Sequence, residues 1–224
     1  MLTAIIPARK GSKSIIGKNM IELGGKPLIY WTMHAAEMSK EINEIILTTD
    51  CEEIANYCLD HFNVNIIFRD EKLSDDHAKT SDVLLDVLNK HNVVNSHIIL
   101  LQVTSPFRTI SDISRGYEIF CKKTINTCVS VKRCPISPEL LIKKTTCNLG
   151  KKSEFFKDKR RQDMEEYYLI NGAIYIFSKD SLLYNNSIFS QELSFIEMTY
   201  NNSLDIDDKN DLEIAREQWN QNAT

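Results

Sequence analysis

The chain has 224 residues, a formal net charge of −4 and 42% hydrophobic residues, enough for an ordinary buried core. The negative charge gives no general reason to bind nucleic acid, and no apolar run approaches the ~20 residues of a membrane span. The six cysteines contain no C-x-x-C pair, which favours reduced thiols over zinc or disulfides. We therefore expect a soluble, cytoplasmic protein with no nucleic-acid or membrane partner.

The first distinctive stretch follows an apolar run at the N-terminus. It reads I-I-P-A-R-K-G-S-K-S-I-I-G-K-N over residues 5–19, and a strand should end at Pro7, which cannot donate to a central ladder. Glycines that allow close backbone approach and cations that neutralise phosphate suggest a polyphosphate site in the loop. Its four cations are Arg9, Lys10, Lys13 and Lys18. The motif is neither a P-loop nor a dinucleotide fingerprint, and composition alone equally allows a solvated basic loop.

The rest of the chain alternates between helical and extended patterns after a turn at Gly24-Gly25. Polar residues suited to capping open four of the helices: Asp50 in a box with Glu53, then Thr80, Ser111 and Asp208. The predicted elements, in order, are helix 28–40, strand 44–49, helix 50–61, strand 64–68, helix 80–91, strand 97–102, helix 111–123, strand 127–131, strand 168–178 and helix 208–220.

This alternation, with nearly continuous apolar strands, predicts an α/β fold in which helices flank a mostly parallel sheet. We expect one domain over residues 1–224. Residues 135–166 break the rhythm with weak periodicity and many lysines, so they read as an inserted arm. Ligands of such sheets bind beyond the carboxyl ends of the strands, so the polar residues that follow strands are the candidate site.

Two later blocks bring polar residues together, although the first of them taken alone reads as an ordinary strand. In N-G-A-I-Y-I, strand alternation should put Asn171, Ala173 and Tyr175 on one face. In L-D-I-D-D, Asp205 and Asp207 should face the same side of an extended segment. Two carboxylates aimed together repel each other unless a cation lies between them, and Mg²⁺ suits carboxylate, phosphate and water oxygens. The alternative is that this block merely caps the last helix.

The first stretch resembles the nucleotide-binding signature of the CMP-sialic acid synthetase (N-acylneuraminate cytidylyltransferase) family, I-P-A-R-x-G-S-K-x-x-x-G-K-N. The blocks L-L-Q-V-T-S-P-F-R, N-G-A-I-Y-I and D-I-D follow in the family's order. Four departures stand out: Lys10 for glycine, Ser14-Ile15-Ile16 for glycine-aliphatic-proline, Val103 for proline, and Leu169 for the arginine of many sialic-acid members. The last of these leaves the exact sugar open.

The resemblance implies a cytidylyltransferase that joins CTP to a nonulosonic acid, a nine-carbon acidic sugar, and releases pyrophosphate. It implies Lys18, Asp205 and Asp207 as catalytic residues, with Mg²⁺ on the two aspartates. It also implies a homodimer in which the arm of one subunit reaches the site of the other. Implied nucleotide contacts are Arg9, Ser12, Lys13, Lys18, Asn19, Arg69 and Thr80. Implied sugar contacts are Gln102, Arg161, Gln162, Asn171 and Tyr175, whereas Arg108 reads as structural.

Two kinds of alternative remain. The first is the same reaction on legionaminic, pseudaminic or deoxy-octulosonic acid, of which the last fits least because the Gly11-Ser12-Lys13 core resembles the sialic-type loop. A non-catalytic nucleotide-binding regulator is the alternative of a different class. Its expected mark is a damaged aspartate pair or a lost Lys18, and both are intact.

Overall fold

A computed structural model describes residues 1–75, 77–123, 125–147 and 149–222, so one residue of the predicted arm and the last two of the chain lie outside it. The strands are β1 (Leu2–Pro7), β2 (Glu22–Leu23), β3 (Lys26–Pro27), β4 (Ile42–Thr49), β5 (Asn65–Phe68), β6 (His97–Leu100), β7 (Thr127–Arg133), β8 (Ile142–Thr146), β9 (Leu149–Lys152), β10 (Tyr168–Ser178) and β11 (Ser194–Glu197). The helices are α1 (Leu28–Glu37), α2 (Glu52–His61), α3 (Thr80–Lys90), α4 (Ile110–Lys122), α5 (Lys179–Asn185) and α6 (Lys209–Asn222).

The centre of the fold is a seven-stranded sheet in the order β11-β7-β10-β6-β1-β4-β5. Strand β1 pairs in parallel with β4 and β6, β4 with β5, and β11 with β7. Strand β10 runs antiparallel to both of its neighbours, β6 and β7. The predicted mostly parallel α/β sheet is therefore confirmed, and the carboxyl ends of six strands meet at one edge.

Helices cover both faces of this sheet. In β1, Ile6 belongs to a core cluster with α1, α2, α4 and α6, whereas its neighbour Ile5 belongs to a second cluster with α3 and α5. Both side chains are fully buried. Strands covered on two faces need apolar residues at every position, which explains their unbroken apolar runs.

The predicted capping box of α2 is wrong. The residue before the helix is Cys51, which makes no side-chain cap bond. The Asp50 carboxylate instead accepts the backbone N–H of Lys10 at 2.6 Å. The Asp50 carboxylate, which the predicted capping box would have used as an acceptor, therefore binds the basic loop and not its own helix.

Two other helix starts also differ from the prediction. Helix α4 is capped by Thr109, which forms a capping box with Asp112, and not by Ser111. The box bonds are 3.1 Å and 3.0 Å long. Helix α3 begins at Thr80, so Lys79 occupies the cap position without a side-chain bond.

Residues between β7 and β10 form a separate two-stranded sheet from β8 and β9. Its side chains are exposed, including Ile142 and Leu149. At its base, the Lys157 ammonium lies 2.8 Å from the buried Glu139 carboxylate and 2.9 Å from Glu165. The role of this segment in joining two copies stays a prediction. In the part of the chain that the structure covers, no helix has the length and apolarity to span a bilayer.

The packing of α6 fixes its place beside the sheet edge. The ring of Trp219 lies 4.2 Å from Trp31 and occupies the space beside Gly24. A Cβ on Gly24 would fall 2.1 Å from this ring. The predicted turn is confirmed, with φ of +60° and +76° at Gly24 and Gly25, as a two-residue hairpin requires.

We expect Gly24→Ala to lower the free energy of unfolding more than Gly25→Ala. Both substitutions incur the left-handed backbone penalty of about 1–2 kcal/mol. Only the first also displaces Trp219, which adds about 1–3 kcal/mol for overpacking. Urea unfolding of the two variants measures the difference. Equal losses would mean that Trp219 does not depend on the bare backbone at Gly24.

Candidate functional site

A cleft of about 330 Å³ lies beyond the carboxyl ends of the central strands. It collects most of the residues assigned from sequence, and four of the five that it lacks are predicted sugar contacts. Five do not line it: Lys13, Arg161, Gln162, Asn171 and Tyr175. The residues that do are Arg9, Ser12, Lys18, Asn19, Arg69, Thr80, Gln102, Asp205 and Asp207.

The basic loop is held in a closed shape by its own polar groups. Asn19 donates from its side-chain amide to the carbonyl of Arg9 at 2.8 Å. Gly17, with φ of +65°, turns the chain into Lys18. The backbone N–H of Ala8 bonds to β4 at 3.0 Å and continues the strand pairing into the loop. Of the four cations of this loop, Arg9 and Lys18 line the cleft.

The Lys18 ammonium joins this loop to the acidic block near the C-terminus. It donates to the carbonyls of Ile206 at 2.8 Å and Asp207 at 3.0 Å, and it lies 3.8 Å from the Asp207 carboxylate. Its side chain is only 11% exposed. An ammonium has three donors, so one remains to face a ligand in the cleft.

Arg69 is a second buried cation that lines the cleft. It is 8% exposed, and its Nε has no hydrogen-bond partner among the described residues. Its Nη1 donates weakly to the carbonyl of Leu73 at 3.4 Å. Burial lowers the pKa of Arg69, while the charge of Asp50 opposes that shift. A buried guanidinium with an unmet donor favours an electronegative ligand atom in the cleft.

Asp205 and Asp207 together provide a negative wall that suits a cation. The Oδ1 of Asp205 is buried with no hydrogen-bond partner among the described residues. Burial, aided by the charge of Asp207, raises the pKa of Asp205 despite a bond from Thr104. An orphaned buried carboxylate oxygen beside a second carboxylate fits Mg²⁺. In the described chain no group of three or more His, Cys, Asp or Glu side chains could hold a metal, so phosphate and water would complete the shell.

Gly172 is a site residue that sequence reasoning missed. Its φ is +83°, and a Cβ there would meet Gln102 Oε1 at 3.0 Å and Asp205 Oδ2 at 3.5 Å. Only a bare backbone lets these two groups approach β10 this closely. The signal in the sequence was an isolated glycine within a strand pattern, which marks a bulge or a close approach.

The alternation predicted for the N-G-A-I-Y-I block is wrong. Ala173 packs in the first core cluster, whereas Tyr175 packs against the second. The cause is a bulge, because β10 runs from Ile170 to Tyr175 while β7 moves only from Val131 to Val129. The extra residues of β10 rotate the side chains out of register.

Asn171 lies inside this bulge as a buried linker. Its carbonyl oxygen accepts from Ser130 at 2.5 Å, and its amide donates to Ser203 at 2.9 Å. It is 5% exposed and does not line the cleft. These internal bonds hold the Asn171 side chain within the bulge. Its contact with a sugar stays a prediction.

Tyr175 lines a neighbouring cavity of about 250 Å³ that shares Thr80 and Gln102 with the cleft. Its ring lies edge-to-face on Phe189, with centroids 6.0 Å apart. Burial and then the charge of Asp205 raise the pKa of Tyr175. This second cavity therefore adjoins the cleft, with Tyr175 near Asp205.

Arg108 is structural, as predicted. It is buried and donates to the carbonyls of Gln102 at 3.2 Å and Ala173 at 3.1 Å, and to the Thr32 hydroxyl at 2.8 Å. Burial lowers the pKa of Arg108 to about 9, so it remains charged at neutral pH. Its bonds fix the backbone that orients Gln102 at the junction of the two cavities.

Arg161 and Gln162 belong to a short turn near the base of the β8–β9 segment. Beside them, Arg160 pairs with Asp163 at 2.7 Å. Within one chain, neither Arg161 nor Gln162 lines the cleft.

Comparison with known proteins places this geometry in context. The profile of the family described as Cytidylyltransferase matches residues 3–218. An N-acylneuraminate cytidylyltransferase of Streptococcus agalactiae is 34% identical over 212 residues, covering 92% of this chain and 50% of that protein. The chain thus spans about half the length of that relative. A CMP-N,N'-diacetyllegionaminic acid synthase of Legionella pneumophila is 34% identical over 217 residues, covering 92% of this chain and 90% of that protein.

Among solved structures, a CMP:2-keto-3-deoxy-manno-octonic acid synthetase complexed with CTP superposes with a TM-score of 0.75. It is 18% identical and covers 99% of this chain and 100% of that one. At this identity the likeness shows a shared fold.

We expect Asp205→Asn to raise the Tm of the protein without divalent metal at pH 7. Because the folded pKa of Asp205 lies above its unfolded value, the buried charge costs stability at neutral pH, and this cost fades as pH falls through the folded value. The gain should therefore shrink on acidification, as thermal unfolding at several pH values can show. Asp208→Asn is the control, because Asp208 is an exposed helix cap and asparagine caps equally well. A lower Tm for Asp205→Asn at pH 7 would contradict the expectation.

Proposed function

Because the chain belongs to the cytidylyltransferase family, we propose that it transfers the CMP group of CTP to a nonulosonic acid and releases pyrophosphate. One observation supports this most directly. Lys18, from the first loop of the chain, and the Asp205–Asp207 pair, from near its end, line the same cleft, and the Lys18 ammonium donates to the backbone carbonyls of Ile206 and Asp207. A cation beside two carboxylates suits a triphosphate bound together with a divalent metal.

The nucleotide would lie along the basic wall. The remaining donor of Lys18 would bind the phosphate that leaves as pyrophosphate, and Arg69 and Thr80, which line the same cleft, would contact the nucleotide. Asp205 and Asp207 are the residues that would hold Mg²⁺, whose chemistry there is to polarise the α-phosphate.

The second substrate would enter from the Tyr175 cavity. Its walls include the apolar side chains of Leu100, Ile188 and Phe189, and Gln102 stands where it meets the cleft. Such a cavity suits a sugar that presents acyl groups to apolar walls and a carboxylate or hydroxyl to an amide. From this side the anomeric hydroxyl can attack the α-phosphorus: the new oxygen–phosphorus bond forms as the bond to the β-phosphate oxygen breaks. The protein positions the groups and offsets developing charge.

Among nonulosonic acids, a legionaminic-type acid is the second candidate for the sugar, after a sialic acid. Leu169, which stands where many sialic-acid synthetases have arginine, is 49% exposed and pairs with Lys132 in β10 and β7. Leu169 therefore supplies no charged group that could pair with a polar part of the sugar. The similarity to the Legionella synthase over nearly its whole length agrees with this alternative.

The test is a pyrophosphate-release assay of the chain with each of the four nucleoside triphosphates and a panel of nonulosonic acids. We expect turnover with CTP alone, loss of activity in excess EDTA, and a kcat at least ~100-fold lower in Asp207→Asn. Asp208→Asn, one residue further on, should keep wild-type kcat. Nucleotide binding without turnover for any sugar would favour a regulator, and full activity in EDTA would remove the metal role.

We further propose that the site is completed by a second copy of the chain. The β8–β9 segment exposes Ile142 at 66% and Leu149 at 65%, and apolar side chains on a protruding hairpin need a partner surface. Arg161 lies at the base of this segment, and its guanidinium suits the bidentate recognition of a sugar carboxylate. A two-fold dimer would supply both arms by symmetry.

Subunit mixing tests the shared site. We expect Asp207→Asn and Arg161→Ala each to be inactive alone and active when mixed, because each mixed dimer then has one site with both lesions and one site with neither. Arg160→Ala, which removes a neighbouring cation paired within its own turn, is the matched control and should stay active alone. If mixed dimers form but recover no activity, Arg161 does not act in the partner's site.

A further inference from the structure

The backbone of Asp207 is held on both sides by side chains from other parts of the chain. Its N–H donates to Asp211 Oδ2 at 2.9 Å. Its carbonyl accepts from Lys18 Nζ at 3.0 Å and from the hydroxyl of Ser14. Asp207 lies outside every strand and helix, so these side chains perform the role that a sheet or helix ladder performs elsewhere.

The Asp207 carboxylate itself is weakly restrained. Its side chain is 78% exposed, and its contact with Lys18 is 3.8 Å long. A short, exposed side chain takes its direction mainly from its backbone. Whatever fixes the peptide groups on either side of Asp207 therefore decides where this carboxylate points.

Asp211 lies in the first turn of α6 and makes one more bond than helix capping needs. Asp208 accepts the N–H groups of Asn210 and Asp211, and Asp211 accepts the N–H of Asp208 at 3.0 Å, which together form a capping box. The same Oδ2 atom also accepts the N–H of Asp207. This additional bond reaches one residue beyond the box, into the acidic loop.

Helix α6 is a rigid support for this bond. Trp219 anchors its far end against Trp31 and Gly24, and Leu212 and Ala215 are buried in the core. On the other side of the loop, Ile206 is fully buried and its N–H bonds to the carbonyl of Thr104 at 2.8 Å. The loop is thus fixed between the core and the start of α6.

We propose that Asp211 is a positioning residue that aims Asp207 into the cleft through the hydrogen bond to its backbone N–H. The inference deepens the proposed function, since it concerns the residues that would hold the divalent cation. Partners that orient metal ligands in this way typically change metal affinity by about 10- to 100-fold when removed.

Two simpler explanations are separable from it. Asp211 acts only as a helix cap if its removal has the same effects as removal of Asp208, the other half of the box. Asp211 acts only through its charge if a neutral acceptor at the same position behaves like alanine. The variants Asp211→Ala, Asp208→Ala and Asp211→Asn distinguish these cases.

The experiment measures Mn²⁺ binding by calorimetry, Tm, and hydrogen exchange of the Asp207 amide by NMR, all on the full chain without nucleotide. We expect Asp211→Ala and Asp208→Ala to lower the Tm by similar amounts, because each removes half of one capping box. We expect only Asp211→Ala to weaken Mn²⁺ binding, by about 10-fold or more, and to speed exchange at Asp207. Asp211→Asn, which keeps an oxygen acceptor, should retain most of the wild-type Mn²⁺ affinity and most of the protection of the Asp207 amide from exchange.

Each contrary outcome is decisive. Equal Mn²⁺ affinities in the two alanine variants would reduce Asp211 to a helix cap, and equal losses in Asp211→Asn and Asp211→Ala would assign the effect to charge. If Asp211→Ala does not fold, fast exchange of the Asp207 amide in the folded wild type would still overturn the proposal. None of these readouts uses turnover, so failure of the pyrophosphate assay would reject the proposed function and leave the role of Asp211 to be decided separately.

Discussion

The contact between Lys18 and the backbone of residues 206 and 207 is the constraint on which the site depends. It joins the loop after the first strand to the block before the last helix, which are 189 residues apart in the chain. The ammonium neutralises part of the negative wall and also donates to its carbonyls, so the two charged loops stabilise each other before any ligand binds. Each loop also has bonds of its own, and the Lys18 contact sets the position of the two loops relative to each other.

Burial then decides what each charged group near the cleft can do. Arg108 and Arg69 are both buried, yet they serve different ends. Arg108 uses its donors on the backbone at Gln102, Ser105 and Ala173, so it is a structural pin. The Nε of each guanidinium lacks a hydrogen-bond partner among the described residues, but of the two only Arg69 lines the cleft, so Arg69 is the one placed for a ligand. The number of internal acceptors and the position relative to the cleft separate the two roles where residue type does not.

The bulge in β10 is the main irregularity of the sheet, and it lies at the site. It buries Asn171 in a polar linkage with Ser130 and Ser203, and it turns Tyr175 toward the second cavity. Gly172 lets Gln102 and Asp205 approach the strand between them. A regular strand would place side chains there and close the junction between the two cavities.

The sequence by itself determined the α/β class, because strands buried on two faces must be apolar throughout and helices between them must be amphipathic. It also located the cleft, since parallel strands bring their following loops to one edge wherever those loops stand in the chain, whereas most of the individual cleft residues came from the resemblance to the synthetase family. Only the tertiary structure decided which acceptor takes which donor. Asp50 binds the amide of Lys10 and not its own helix, Asp211 reaches Asp207 beyond its capping box, and the register of β10 shifts at Gly172. The physical reason is that a polar group pairs with the partner that folding brings nearest, and the residue pattern along a chain records local neighbours only.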